Sequence, residues 1–90
     1  MSGRLENEHI LVTGGSRGIG AAIAEKCLLE GANVSFIDLE VEEGENLLTK
    51  LNQDSKLLFV SGNVCSAEDL KRWSDASRKK FGSITGLVNN

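Results

Sequence analysis

The segment Thr13-Gly14-Gly15-Ser16-Arg17-Gly18-Ile19-Gly20 is half glycine and lies between the apolar run Ile10-Leu11-Val12 and a stretch with helical spacing. Glycine has no Cβ, so a backbone built from it turns tightly and approaches a ligand that a side chain would keep away. A helix opening from such a loop directs unpaired N–H groups and the positive end of its dipole into it. A diphosphate suits that environment, with Gly14, Ser16, Gly18, Ile19 and Gly20 as its expected contacts. A Walker loop would carry Lys and then Ser or Thr after its last glycine, whereas Ala21 and Ala22 follow Gly20 here. The expectation is a strand-to-helix turn that binds a dinucleotide.

A second chemical signal stands eighteen positions beyond Gly20, where the mostly apolar run Asn33-Val34-Ser35-Phe36-Ile37 ends in Asp38. In a βαβ unit an acid at that strand end accepts hydrogen bonds from the adenosine ribose hydroxyls. Its charge also repels the 2′-phosphate of NADP, since two like charges about 4 Å apart cost about 4 kcal/mol at an effective dielectric near 20. Arg17 works the other way, because a base in the loop can pair with that phosphate. An exposed pair gains little in water, so NAD is the expected cofactor in preference to NADP.

These residues need elements to hold them. A first strand is expected over His9–Thr13, and a helix over Ile19–Glu30 with Ile19, Ile23 and Cys27 along one face and Gly31 ending it. A second strand covers Asn33–Asp38. A second helix over Val41–Asn52 buries Leu47, Leu48 and Leu51 and opens on acids that suit its dipole. The third strand, Lys56–Ser61, holds Leu57-Leu58-Phe59-Val60, a run typical of a strand covered on both faces. Ser66 is an N-cap for a third helix reaching Phe81, with Leu70, Trp73, Ser77 and Phe81 on one stripe, and Ile84–Asn89 forms a fourth strand. The order is βαβαβαβ, the N-terminal portion of a Rossmann-type, doubly wound α/β fold with a parallel sheet in the order 3-2-1-4.

The glycine spacing, G-x-x-x-G-x-G preceded by Thr13, resembles the short-chain dehydrogenase/reductase family, and two further motifs extend the likeness. Asn63-Val64 stands where that family usually has Asp-Val, whose acid contacts the adenine amino group; the Asn63 amide oxygen can accept the same bond. Leu87-Val88-Asn89-Asn90 is similar to the start of the family's Asn-Asn-Ala-Gly strand end, whose asparagines brace the sheet and line the cofactor crevice. The resemblance covers essentially all 90 residues. It implies Asn63, Val64 and Asn90 on the adenosine side and an oxidoreductase that moves hydride between a nicotinamide cofactor and an alcohol or carbonyl substrate. Members that use NADP often carry a base where Arg17 stands. Family catalysis resembles a general-acid scheme with a Tyr and a Lys four residues later, and this chain has no tyrosine. No catalytic residue is therefore expected within it. The expectation is that residues 1–90 are the cofactor-binding part of one Rossmann domain without its catalytic part. A stand-alone nucleotide-binding or partner-binding module is the alternative. A site for S-adenosylmethionine fits Asp38 but not a loop shaped for phosphates, which that ligand lacks.

Composition agrees with an ordinary soluble chain, 40% hydrophobic and 26% charged. A net charge of −3 with no basic run argues against nucleic acid or a membrane surface. Met1–Glu8 is polar, unlike a signal peptide, and a cytoplasmic location is expected. Cys27 and Cys65 lack the close pairing of a zinc site; Cys27 reads as core and Cys65 as a packed small residue. His9 reads as a polar residue at the edge of the first strand, and no metal is expected. Oligomer formation is left open.

Overall fold

The computed structural model describes residues 4–14, 18–52 and 55–89. The apolar run Ile10–Val12 becomes β1 (His9–Thr13), buried along its whole length because it lies inside the sheet. It is followed by α1 (Gly18–Leu29), β2 (Asn33–Asp38), α2 (Val41–Leu51), β3 (Leu57–Ser61), α3 (Ala67–Phe81) and β4 (Gly86–Val88). The strands are parallel in the order β3-β2-β1-β4, with Val12 beside Phe36 and Val88, and Phe36 beside Phe59. Among the described residues this is the expected Rossmann-type order, and β1 is the strand where the chain's direction across the sheet reverses.

Side chains alternate across each strand, so the sheet has two distinct faces. Ile10, Val12, Val34 and Phe36 pack with Ala24 and Leu47 of α1 and α2, while Leu11 and Ile37 pack with Trp73 of α3. Ser66 caps α3 by accepting the Asp69 N–H at 3.1 Å, and Gly82 (φ 83°) ends it with its N–H on the Arg78 carbonyl. Gly31 closes α1 at φ 95°, and Asn52, expected as the last residue of the second helix, instead caps α2 in the left-handed region.

Several expectations change. The α1 stripe was expected through Ile19, Ile23 and Cys27, yet the buried residues are Gly20 and Ala24, and Ile19 is 72% exposed. Successive helix residues advance by about 100°, so a contact line through Gly20 and Ala24 leaves Ile23 and Cys27 beside it and turns Ile19 away. The smallest side chains face the sheet because the helix lies close to it. In β3 only Leu57 is fully buried, because β3 is an edge strand: Phe59 joins the α1/α2 face and Val60 the α3 face, but among the described residues no strand pairs outside it. β4 is shorter than Ile84–Asn89. The Thr85 hydroxyl, not a backbone carbonyl, accepts the His9 N–H at 2.7 Å, so the ladder begins at Gly86, and Asn89 turns its side chain to Thr13.

His9 is a further correction. It is 1% exposed, not an edge residue, because β1 is internal and the end of α3 covers it. Its Nδ1 lies 3.3 Å from the Gly82 carbonyl, which can only accept, so Nδ1 carries the hydrogen and Nε2 is left to the Ser35 hydroxyl at 3.0 Å. Phe81 meets the ring edge-on. The polar atoms of His9 are met by protein at the end of the sheet remote from the glycine loop. Cys65 differs too: it is exposed in the turn before α3 instead of packed, while Cys27 lies half-buried against the α1/α2 core.

Candidate functional site

A cleft of about 200 Å³ opens at the C-terminal ends of the strands, where Thr13 ends β1 and Gly14 follows it, Asp38 ends β2 and Leu39 follows it, Asn63 and Val64 follow β3, and Asn89 follows β4. Parallel strands that all end on one side must leave such a crevice where neighbouring crossovers depart to opposite faces, and ligands of open α/β sheets bind there. Four of the residues expected from sequence meet in it: Gly14, Asp38, Asn63 and Val64. Gly18, Ile19 and Gly20 form the first turn of α1. Ser16, Arg17 and Asn90 lie outside the described residues.

Gly14 and Gly18 both have φ of 61°, a region that strains any residue with a Cβ. A Cβ on Gly18 would meet nothing within 4 Å, so the requirement there is backbone conformation, not space. Gly14 donates its N–H to the Ile37 carbonyl at 2.9 Å, which ties the loop's entrance to β2. Thr13 fixes the other side: its hydroxyl, 8% exposed as a residue, donates to Asn89 Oδ1 at 3.1 Å. Asp38 Oδ1 accepts the Glu40 N–H at 3.0 Å, which orients the carboxylate at the start of α2 in place of a side-chain cap from Glu40.

The wall after β3 is held by a clasp. Asp69 Oδ2 accepts the Asn63 N–H at 2.9 Å, and the Asn63 carbonyl accepts the Ser66 N–H at 2.9 Å. Asn63 Oδ1 accepts the Cys65 N–H at 2.8 Å, so the amide oxygen expected to serve a base already has a protein donor. Arg72 reaches over the turn to the Ser61 carbonyl at 2.8 Å and to Asp69 Oδ1 at 3.4 Å. The Asn63 N–H, and then the Arg72 guanidinium, hold the Asp69 carboxyl below the ordinary carboxylate range.

The sequence reading missed Leu39 and Gly62. Leu39 is 67% exposed at the mouth of the cleft, and an apolar residue directly after a strand-end acid is the signal that would have found it. Gly62 passes its N–H to the Asp38 carbonyl, and a Cβ there would press on Arg72 and Ile37 at 3.1 Å. A glycine at the end of β3 could have been read as Gly14 was at the end of β1.

The residues fit a dinucleotide. Positive-φ glycines bracket the loop, β2 supplies a carboxylate, the turn after β3 supplies polar groups, and the exposed Leu39 and Val64 give an apolar surface on which a base can lie. No described helix is long and apolar enough to cross a membrane.

Known proteins match this geometry. The chain is 42% identical over 91 residues to 2-(S)-hydroxypropyl-CoM dehydrogenase 3 of Xanthobacter autotrophicus, covering 100% of this chain and 36% of that protein. It is 36% identical over 90 residues to the 3-beta-hydroxysteroid dehydrogenase of Comamonas testosteroni, covering 100% of this chain and 35% of the relative. In structure it is similar to a short-chain dehydrogenase/reductase of the glucose/ribitol dehydrogenase type from Brucella melitensis. The TM-score is 0.90 at 30% identity, over 97% of this chain and 37% of that one. The chain thus spans about a third of the length of these relatives. The family model described as short chain dehydrogenase matches residues 8–90, from the entrance of β1 past the end of β4, and the chain belongs to that family.

Proposed function

We propose that this chain holds the adenosine diphosphate half of a nicotinamide dinucleotide for a dehydrogenase or reductase, and that it prefers NAD to NADP. The observation that carries this reading is the cleft that gathers Gly14, Asp38, Asn63 and Val64 from the ends of three adjacent strands. Gly14, Ser16, Gly18, Ile19 and Gly20 hold the diphosphate, Arg17 is the loop base that a 2′-phosphate would pair with, Asp38 accepts from the adenosine ribose, and Asn63, Val64 and Asn90 serve the adenosine side. The bound cofactor supplies a ring that accepts or gives hydride, and the partner in that exchange is an alcohol or carbonyl compound. Within this chain the work is binding and orientation. A carboxylate accepts from two ribose hydroxyls but repels a phosphate in the same place.

Asp38→Ala tests the reading, with NAD and NADP affinities measured by calorimetry. NAD binding weakens and the NAD/NADP affinity ratio moves roughly tenfold toward NADP, the factor that about 1.4 kcal/mol represents. A ratio that stays where it was removes Asp38 from the ribose.

A further inference from the structure

Among the described residues β3 is an edge strand, so half of its backbone groups face away from the sheet. On its inner side the Lys56 carbonyl accepts the Val34 N–H at 2.8 Å, and the Gly62 N–H donates to the Asp38 carbonyl at 3.0 Å. Residues of a strand in a parallel ladder bond alternately to one side and the other, so the N–H and C=O of Leu57, Phe59 and Ser61 point outward. Such a row is a template for pairing with another chain. The uncharged, β-forming run Leu57-Leu58-Phe59-Val60 favours that pairing.

Two side chains of α3 lie across the row. Lys80 Nζ donates to the Leu57 carbonyl at 3.0 Å, and the Arg72 guanidinium donates to the Ser61 carbonyl at 2.8 Å. The helix and the edge match in length. The step from Arg72 to Lys80 rises about 12 Å at about 1.5 Å per helix residue, and the step from Leu57 to Ser61 spans about 13 Å at about 3.3 Å per strand residue. Each cation has a second hold, Lys80 over the Phe81 ring at 5.2 Å from its centroid and Arg72 on Asp69 Oδ1 at 3.4 Å. A strand added to β3 needs both carbonyls and must displace both side chains.

We infer that the β3 edge is a strand-addition site held shut by Lys80 and Arg72, and that the partner it fits is the same edge of a second copy of this chain. Antiparallel pairing about Phe59 sets Leu57 against Ser61 of the other copy and Phe59 against its own counterpart. Each such pair exchanges both backbone bonds. The outward groups are therefore self-complementary about a two-fold axis, which makes a second copy a better match than an arbitrary peptide. The inference is independent of the cofactor reading.

The test is sedimentation velocity and amide hydrogen exchange on the full chain across a concentration series. Two double variants are compared with the natural protein: Arg72→Met with Lys80→Met, and Arg72→Lys with Lys80→Arg. Methionine keeps an apolar stem without the donors. It also removes two positive charges from a chain of net charge −3, so repulsion between copies works against nonspecific association. The methionine pair is expected to self-associate at roughly tenfold lower concentration than the natural protein, the factor that two freed carbonyls of modest net value supply. Exchange at the Leu57, Phe59 and Ser61 amides should slow as the concentration rises. The Lys/Arg pair keeps a donor at each end and should behave as the natural protein does. Unchanged association of the methionine pair, or slowed exchange at Gly86–Val88 in place of β3, overturns the inference. If the methionine pair does not fold, the single variants Arg72→Met and Lys80→Met decide. Association of either with slowed Phe59 exchange supports the inference, and natural behaviour of both overturns it.

Discussion

The Asp69 carboxylate does not line the cleft, yet its Oδ2 holds the Asn63 N–H at 2.9 Å while its Oδ1 faces Arg72. In a capping box the acid three residues after the N-cap reaches back to the N-cap N–H; here it reaches three residues further, to the cleft wall. Its pKa is lowered in the folded protein, first by the Asn63 N–H and then by Arg72. The sign follows from linkage. A depressed carboxylate adds stability that is complete above its unfolded value, about 3.9, and is lost as pH falls through the folded value. Asp75 is lowered as well, first by Lys71, and contributes with the same sign. In urea titrations between pH 7 and pH 2, Asp69→Asn and Asp75→Asn should each flatten the acid limb of the stability curve. Only Asp69→Asn should also weaken dinucleotide binding at pH 7. Equal binding by the two variants would mean that the Asn63 turn stands without its clasp. At this scale the sequence is legible where chemistry is local: a carboxylate at a strand end, as in Asp38, is visible from its neighbours alone. The burial of His9 is not, since it depends on Phe81 and Gly82 arriving from 72 and 73 residues away to cover it.

Gly44 sits inside α2, where glycine costs about 1 kcal/mol against alanine. The reason for it lies in β3. A Cβ on Gly44 would collide with the Phe59 ring, which is itself stacked on the fully buried Phe36 at 4.9 Å. Alanine would gain the helix propensity but force the ring out of that stack, and overpacking of this kind costs about 1–3 kcal/mol. The collision outweighs the gain. Gly44→Ala should therefore lower the melting temperature by about 4–8 °C for each kcal/mol lost, and Phe59→Leu should make the same substitution neutral or favourable. A rise in melting temperature for Gly44→Ala alone would show that the ring swings aside freely. Element order and type were legible because each helix and strand carries its own period and its own stop, such as Gly31 and Gly82. Helix faces were less so. The line of α1 against the sheet runs through its smallest residues, and a search for large apolar side chains at helical spacing selects Ile19, which points away.

The sheet carries two hydrophobic layers on the same strands, and this sets how the molecule should come apart. Val12 and Phe36 serve the α1/α2 face, while their neighbours Leu11 and Ile37 serve the α3 face. The α3 layer is the smaller, centred on Trp73, the only tryptophan of the chain. Undocking α3 alone would expose that ring. An aromatic side chain buries about 150–250 Å², worth roughly 4–6 kcal/mol at about 25 cal/mol per Å². That is comparable to the whole stability of a small domain, about 5–15 kcal/mol, so an undocked state has little room to be populated before the strands separate. Two probes report the two layers independently. Trp73 fluorescence follows α3, and the Cys27 thiol follows α1, where burial pushes its pKa up and slows its reaction. Cys65 is exposed and open to the labelling reagent in the folded protein, so a Cys65→Ser variant leaves Cys27 as the single reporter. Across a urea series the fluorescence change and the onset of Cys27 labelling should share one midpoint. If Trp73 is released at clearly lower urea than Cys27, α3 opens as a unit of its own, and the cleft wall it anchors through Asp69 and Asn63 opens with it.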